Sequence, residues 1–134
     1  MIIRFLIYGS SGLCLEVFWT GILSFLNGDK SFTAKTYLWM FFIYGSATFM
    51  EPIHNYIRFL PLFVRGCIWL ILIWSIEFIS GWIIKKIIGK CPWDYSRCGK
   101  FQIMGLIRLD FAPLWFIVGV LFEKMHDALL YFFP

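Results

Sequence analysis

A chain of 134 residues with 60% hydrophobic, 22% aromatic and only 15% charged side chains lies far from the roughly one-quarter charged composition of soluble domains. A soluble domain of this size could not hide its sixteen Phe and seven Trp side chains, whereas lipid favours such a surface, and the long apolar runs lack the alternation of a β-barrel. The net charge of +4 comes from Lys and Arg in short loops beside apolar runs, the placement of topology determinants, which argues against nucleic-acid binding.

The expected fold is all-α: a single integral membrane domain over residues 1–134, a small polytopic helix bundle with about four transmembrane helices and an interfacial or re-entrant loop. The first span runs from about Phe5 to Leu26, roughly 33 Å of helix. It lacks the small-residue cleavage pattern of a signal peptide, so it is read as retained. Asn27-Gly28-Asp29-Lys30 breaks it. A second span covers about Tyr37 to Met50, beginning as early as Thr33 on a wider reading, and stops at Glu51-Pro52, because proline disfavours helical geometry in the residue before it. Residues Ile53 to Pro61 mix His54, Asn55, Tyr56 and Arg58 with apolar side chains, which suits a turn at the membrane surface. The third span runs from about Leu62 to Ile84, and Lys85 and Lys86 mark its end, their stems buried and their ammonium groups at the headgroups.

Two registers compete in the last third. Either Phe101 to Phe122 spans and carries Arg108, Asp110 and Pro113, or the span runs from about Phe111 to Phe133 and carries Glu123, Lys124, His126 and Asp127. The second is favoured, with residues 101 to 110 interfacial or re-entrant, because Asp110 three residues before Pro113 resembles a helix start. With four spans, Arg4, Arg58, Arg65 and Lys124 fall on one side. Lys30, Lys35, Lys85, Lys86, Lys90, Arg97, Lys100 and Arg108 fall on the other. The positive-inside rule then puts both termini outside and the third loop in the cytoplasm.

Cys14, Cys67, Cys91 and Cys98 form no C-x-x-C pair or zinc spacing, so buried apolar cysteine is expected. Only Cys91 and Cys98 share a loop where a disulfide could be considered, and on the reducing cytoplasmic side both would be free thiols.

The most informative residues are Glu16, inside the apolar stretch Ile2 to Leu26, and Glu77, between Phe63 and Ile84. A carboxylate at membrane depth costs roughly 2.5 kcal/mol or more unless protonated, paired or wetted, so two of them point to a buried polar site. Gly9, Gly12, Glu16, Thr20, Ser24 and Asn27 fall at steps of three or four on one helix face. Gly66, Glu77, Gly81 and Lys85 form a comparable line, as do Tyr37, Tyr44, Thr48 and Glu51, and these stripes are expected to converge. The candidate ion or substrate site is therefore Glu16 and Glu77, helped by Glu51 and Tyr44 and by Asp110 or Glu123. The structural alternative is that such glutamates hydrogen-bond neighbouring helices or pair with Lys85 or Arg108.

No metal ligand set is assigned. Glu51-Pro52-Ile53-His54 has E-x-x-H spacing, but Pro52 makes a continuous helix doubtful, so the pair need not share a face. His126 beside Asp127 reads as an interfacial polar pair. Ile7-Tyr8-Gly9-Ser10 before Glu16 echoes Ile43-Tyr44-Gly45-Ser46 before Glu51, but the spacing to the glutamate differs by one residue, so the echo reflects similar packing and no duplicated fold.

The most distinctive local motif is Cys91-Pro92-Trp93-Asp94-Tyr95-Ser96. Pro92 fixes a turn dihedral, Asp94 suits local backbone amides, and Trp93 and Tyr95 suit an interface. It is either an anchored turn or a re-entrant plug that places Asp94 over the carboxylates. No glycine-rich phosphate loop or G-x-S-x-G elbow occurs, which excludes ATP hydrolysis by this chain.

These blocks, together with Tyr8-Gly9, Cys14-Leu15-Glu16-Val17, Phe42-Ile43-Tyr44-Gly45, Glu77-Phe78-Ile79-Ser80-Gly81 and Met104-Gly105-Leu106-Ile107, resemble the transmembrane protein 229 family and the related bacterial CmpB-like ABC-transporter type IV proteins. The resemblance extends from Tyr8 to about Glu123. It implies a compact multi-pass membrane protein with family positions at Glu16, Glu51, Glu77, Trp93, Asp94, Tyr95, Asp110 and Glu123. Asp110 departs from the pattern, where glutamate can stand, and keeps the carboxylate. The transporter label names no mechanism.

Three functions follow as expectations. The first is a small permease-like protein with an intramembrane carboxylate site for an ion, proton or polar head group; it would be a homo-oligomer, because four short spans enclose little volume. The second is an intramembrane lipid-modifying or metal-dependent enzyme using two carboxylates. The third is a structural or assembly subunit. Membrane lipids and an unidentified membrane protein are the expected partners, and no cofactor beyond a bound cation is expected.

Overall fold

The computed structural model describes residues 1–97 and 99–132. Its helices are α1 (Ile2–Leu26), α2 (Leu38–Gly45), α3 (Glu51–Ile57), α4 (Leu62–Ile88) and α5 (Ala112–Phe132). A two-stranded ribbon, β1 (Gln102–Ile103) with β2 (Ile107–Arg108), and short 3-10 turns at Ser46–Met50 and Leu109–Phe111 complete it. The fold is all-α, and the chain forms two compact units, Met1–Glu51 and Pro52–Pro134. Among the described residues two helices, α1 and α4, are long and apolar enough to cross a membrane.

In the first unit α2 lies against α1 because α1 presents glycine there. A Cβ at Gly9 would press on the Phe41 carbonyl and ring, and one at Gly12 would fall inside the Tyr44 ring. The opposite approach uses Gly45, which seats the Phe5 ring. Gly9 and Gly12 belong to the small-residue line read from the sequence, and with Gly45 they bring the helices close enough for side chains to pair across them. The outer face of α1 carries exposed Leu15, Phe18 and Ile22. Cys14 is exposed on this helix too, so the expectation of buried cysteine fails there. It holds at Cys91, a buried free thiol that burial pushes up from its ordinary value. Cys98, with the disulfide considered for it, lies outside the described residues.

The N-G-D-K break is a side-chain knot. Asp29 accepts hydrogen bonds from Ser24 Oγ at 2.9 Å, from the Ser31 N–H at 2.9 Å and from the Thr33 N–H at 3.1 Å. The Thr33 hydroxyl, with these donors, holds the carboxyl well below the usual carboxylate range. Its stabilisation is therefore complete above the unfolded value of about 3.9 and is lost as pH falls from there toward the folded one. In melting curves, the advantage of wild type over Asp29→Asn is expected to shrink as pH drops below about 4. A difference independent of pH would show that the knot does not stabilise the ionised form.

Pro52 does not stop the chain's helical course. The α-helix gives way earlier, at the 3-10 turn Ser46–Met50, where Ser46 Oγ donates to the Ile43 carbonyl at 2.6 Å. A new helix then starts at Glu51, and Pro52 falls in its first turn, where a missing N–H removes no helical bond. The surface turn expected from Ile53 is thus confined to residues 58–61, and His54 sits on a helix.

In the second unit α4 ends at Gly89, whose φ of +78° makes a left-handed cap that glycine adopts without strain. Lys86 Nζ stands 3.8 Å over the Trp82 ring, near that end. The last helix follows the second of the two registers, with its start just after Asp110. A Cβ at Gly66 would fall inside the Phe116 ring, and one at Gly119 would collide with Trp69, so α4 and α5 meet over glycine on both sides.

Candidate functional site

Glu77 lies on α4 and is 7% exposed. The loop after α4 folds back onto it: Tyr95 Oη donates to Glu77 Oε1 at 3.3 Å. Gly81, one turn further along, leaves the space into which Leu106, Trp93 and Cys91 pack. Trp93 Nε1 donates to the Leu106 carbonyl at 3.2 Å, and the Tyr95 N–H to the Gly105 carbonyl at 2.9 Å. The C-P-W-D-Y-S loop is thereby laced to the β1–β2 hairpin. Met104 and Gly105 take φ of +54° and +72° at its tip, the left-handed backbone of tight hairpin turns.

Tyr95, not Asp94, is the residue of this motif that reaches Glu77. Asp94 is exposed and accepts the Ser96 N–H at 2.9 Å. That bond holds its carboxyl below the usual range, as an anchored turn requires. Asp110 is likewise exposed and paired with Arg108, whose guanidinium lies 4.2 Å from the Phe111 ring.

Within the first unit, Tyr44 Oη donates to Glu16 Oε2 at 3.2 Å. The glycine at position 12 permits this, since it admits the Tyr44 ring against α1. Glu51 is 7% exposed and meets Arg4 Nε at 3.2 Å. Glu16 and Glu77 are thus each engaged by a tyrosine hydroxyl inside their own unit.

Glu123 is of a different kind. It is 2% exposed, and Arg65 grips it through Nε at 2.9 Å from Oε1 and Nη2 at 2.9 Å from Oε2. Trp69 Nε1 donates to Oε1 at 2.7 Å, and His54 Nδ1 stands 3.4 Å from the same oxygen. His54 Nε2 faces Asp127 Oδ1 at 3.4 Å, and Asp127 is also paired with Arg58. His126 is buried with its ring edge-on to His54, 5.3 Å between centroids. Residues 126 and 127 thus both meet His54, His126 ring to ring and Asp127 at Nε2.

Of this cluster the sequence points to Glu123 but not to the partners that hold it. From sequence Arg65 reads as a topology determinant, and His54 as part of a surface turn and of an E-x-x-H match whose glutamate pairs with Arg4. The available signal was spacing: Arg65 and Trp69 at i, i+4, and Glu123, His126 and Asp127 at i, i+3, i+4, each put polar groups on one helix face. Among the described residues, no group of three His, Cys, Asp or Glu side chains is placed to hold a metal ion.

An all-α chain with membrane-length apolar helices, and with buried glutamates paired inside each unit, belongs with the small helical membrane proteins. Within that class, a family model described as "Putative ABC-transporter type IV" matches residues 3–133, and the chain belongs to that family. No solved structure matches it.

Proposed function

We propose that this protein is a small permease-like membrane protein in which Glu77 with Tyr95 in the second unit, and Glu16 with Tyr44 in the first, each offer a polar site for a proton, a cation or a polar head group. The contact that carries the reading is the one from Tyr95 to Glu77 at 3.3 Å. A loop motif folds back upon a carboxylate inside an apolar, membrane-length helix. A phenol is a neutral partner that can donate to the carboxylate, and a carboxylate held this way can be protonated or exchange its partner without stranding a second charge. Glu123, gripped by a guanidinium, is unsuited to that task and serves to join α4 to α5.

The proposal includes four spans, with both termini outside and the loop after α4 in the cytoplasm, and assembly of several copies around the site, since so short a bundle encloses little volume by itself. Its test is flux. The full chain in vesicles loaded with a pH-sensitive dye, under an imposed potential, is expected to pass protons or an added cation above protein-free vesicles. Glu77→Gln is expected to lower that flux at least about tenfold, the loss of one essential proton-carrying group, while the protein still folds. Wild-type flux equal to that of empty vesicles for protons and cations alike would favour the scaffold reading, in which buried polar groups only hold helices together. The Arg65–Glu123 grip is the observation that favours that second reading.

A further inference from the structure

The net charge of the chain is concentrated in one stretch. Between Lys85 and Asp110 stand six cations, Lys85, Lys86, Lys90, Arg97, Lys100 and Arg108, and two carboxylates, against twelve and eight in the whole sequence. That stretch alone therefore carries the full +4, and the remainder is neutral. Both of its carboxylates are engaged locally, Asp94 by the Ser96 amide and Asp110 by Arg108. Five of the six cations, all but Arg108, are exposed.

This charge is not carried on a free tail. Trp93 and Leu106 pack at Gly81, and Tyr95 reaches Glu77, so the loop lies beside the last turns of α4. Glu77 stands only about 12 Å along the helix from Lys85. The same surface exposes Ile87 at 69%, Phe101 at 69% and Met104 at 64%. Large apolar side chains interleaved with unneutralised lysine and arginine, at the end of an apolar membrane-length helix, complement one kind of surface. Phosphate-bearing headgroups meet the cations, and the acyl boundary takes Phe101 and Met104.

We propose that the surface formed by the end of α4 and by residues 90–97 and 99–108 selects anionic phospholipids over zwitterionic ones. A zwitterionic leaflet offers the apolar boundary without the net field. Each exposed cation near an anionic surface is worth a factor of about five in association. The selection concerns the outer surface of the second unit and stands whether or not Glu77 handles an ion.

The full chain reconstituted in phosphatidylcholine vesicles, with spin-labelled phosphatidylglycerol or phosphatidylcholine as probe, reports relative association by electron paramagnetic resonance. Wild type is expected to retain phosphatidylglycerol several-fold more strongly. Arg97→Glu with Lys100→Glu is expected to bring the ratio near parity, and Lys124→Glu, an exposed cation on α5 outside this stretch, to leave it unchanged. High salt on the wild type is expected to act as the double variant does, since the screening length falls to about 3 Å at molar ionic strength, and this reading needs no variant to fold. Equal association of the two lipids with wild type would overturn the proposal and leave an acidic protein as the surface's occupant. A preference removed as fully by Lys124→Glu as by the double variant would overturn it too, by making it a property of total charge.

Discussion

Arg65→Ala is expected to lower the stability of the second unit by about 3–5 kcal/mol, the range for removing one partner of a buried ion pair. The reason lies in what remains. The Glu123 side chain is 3% exposed and Arg65 supplies two of its close contacts, at 2.9 Å to each oxygen. Without the guanidinium, an ionised carboxylate stays buried with Trp69 Nε1 and His54 beside it. Thermal unfolding in detergent is the measurement, and a fall of roughly 10 °C or more is expected. The double change Arg65→Ala with Glu123→Leu is expected to recover part of the loss, because an apolar replacement of both partners leaves no orphaned charge. A loss under about 1 kcal/mol from Arg65→Ala would mean that the pair behaves as a solvent-screened surface bridge.

Gly119→Leu is expected to be comparably damaging by another route. Trp69 is fully buried, and a Cβ at position 119 would already collide with its side chain. Overpacking of this kind costs about 1–3 kcal/mol. The shift would also withdraw the indole N–H from Glu123 Oε1, now 2.7 Å away, and a buried donor left without its acceptor costs about 1–3 kcal/mol more. Gly119→Ala is expected to lie between wild type and leucine. Because Gly119 acts through Trp69 on the carboxylate that Arg65 holds, the combined Gly119→Leu and Arg65→Ala change is expected to cost less than the two losses added, as a double-mutant cycle would measure. Strict additivity would show that the glycine contact and the ion pair are independent.

The main helices were legible because their signals are local. Asn27-Gly28-Asp29-Lys30 ends α1 where turn chemistry says it should, and Asp110 before Pro113 marks the start of α5. Pro52 misled because its effect depends on position in a helix: at a first turn it is tolerated, and the interruption moved to Ser46–Met50 instead. The exposure of Cys14 was illegible for a related reason, since in an apolar helix every face looks equally suited to burial until the glycines at 9 and 12 select which one meets α2.

The polar network divides along the same line. That Glu16, Glu77 and Glu123 need partners follows from charge in apolar surroundings, whatever the fold. Which partner each takes does not. Glu77 is met by Tyr95 and not by Asp94, and Glu123 by Arg65 and not by a lysine at the helix end. Each of these pairings joins residues distant in the chain.

Composition and apolar run length by themselves determined that this chain is a helical membrane protein with charge gathered after α4, because the cost of burying backbone and charge in lipid depends on residue type and order. The tertiary structure decided which carboxylates are met by a guanidinium and which by a phenol. That choice rests on where Gly12, Gly81 and Gly119 let neighbouring segments approach, a distance that no local pattern encodes.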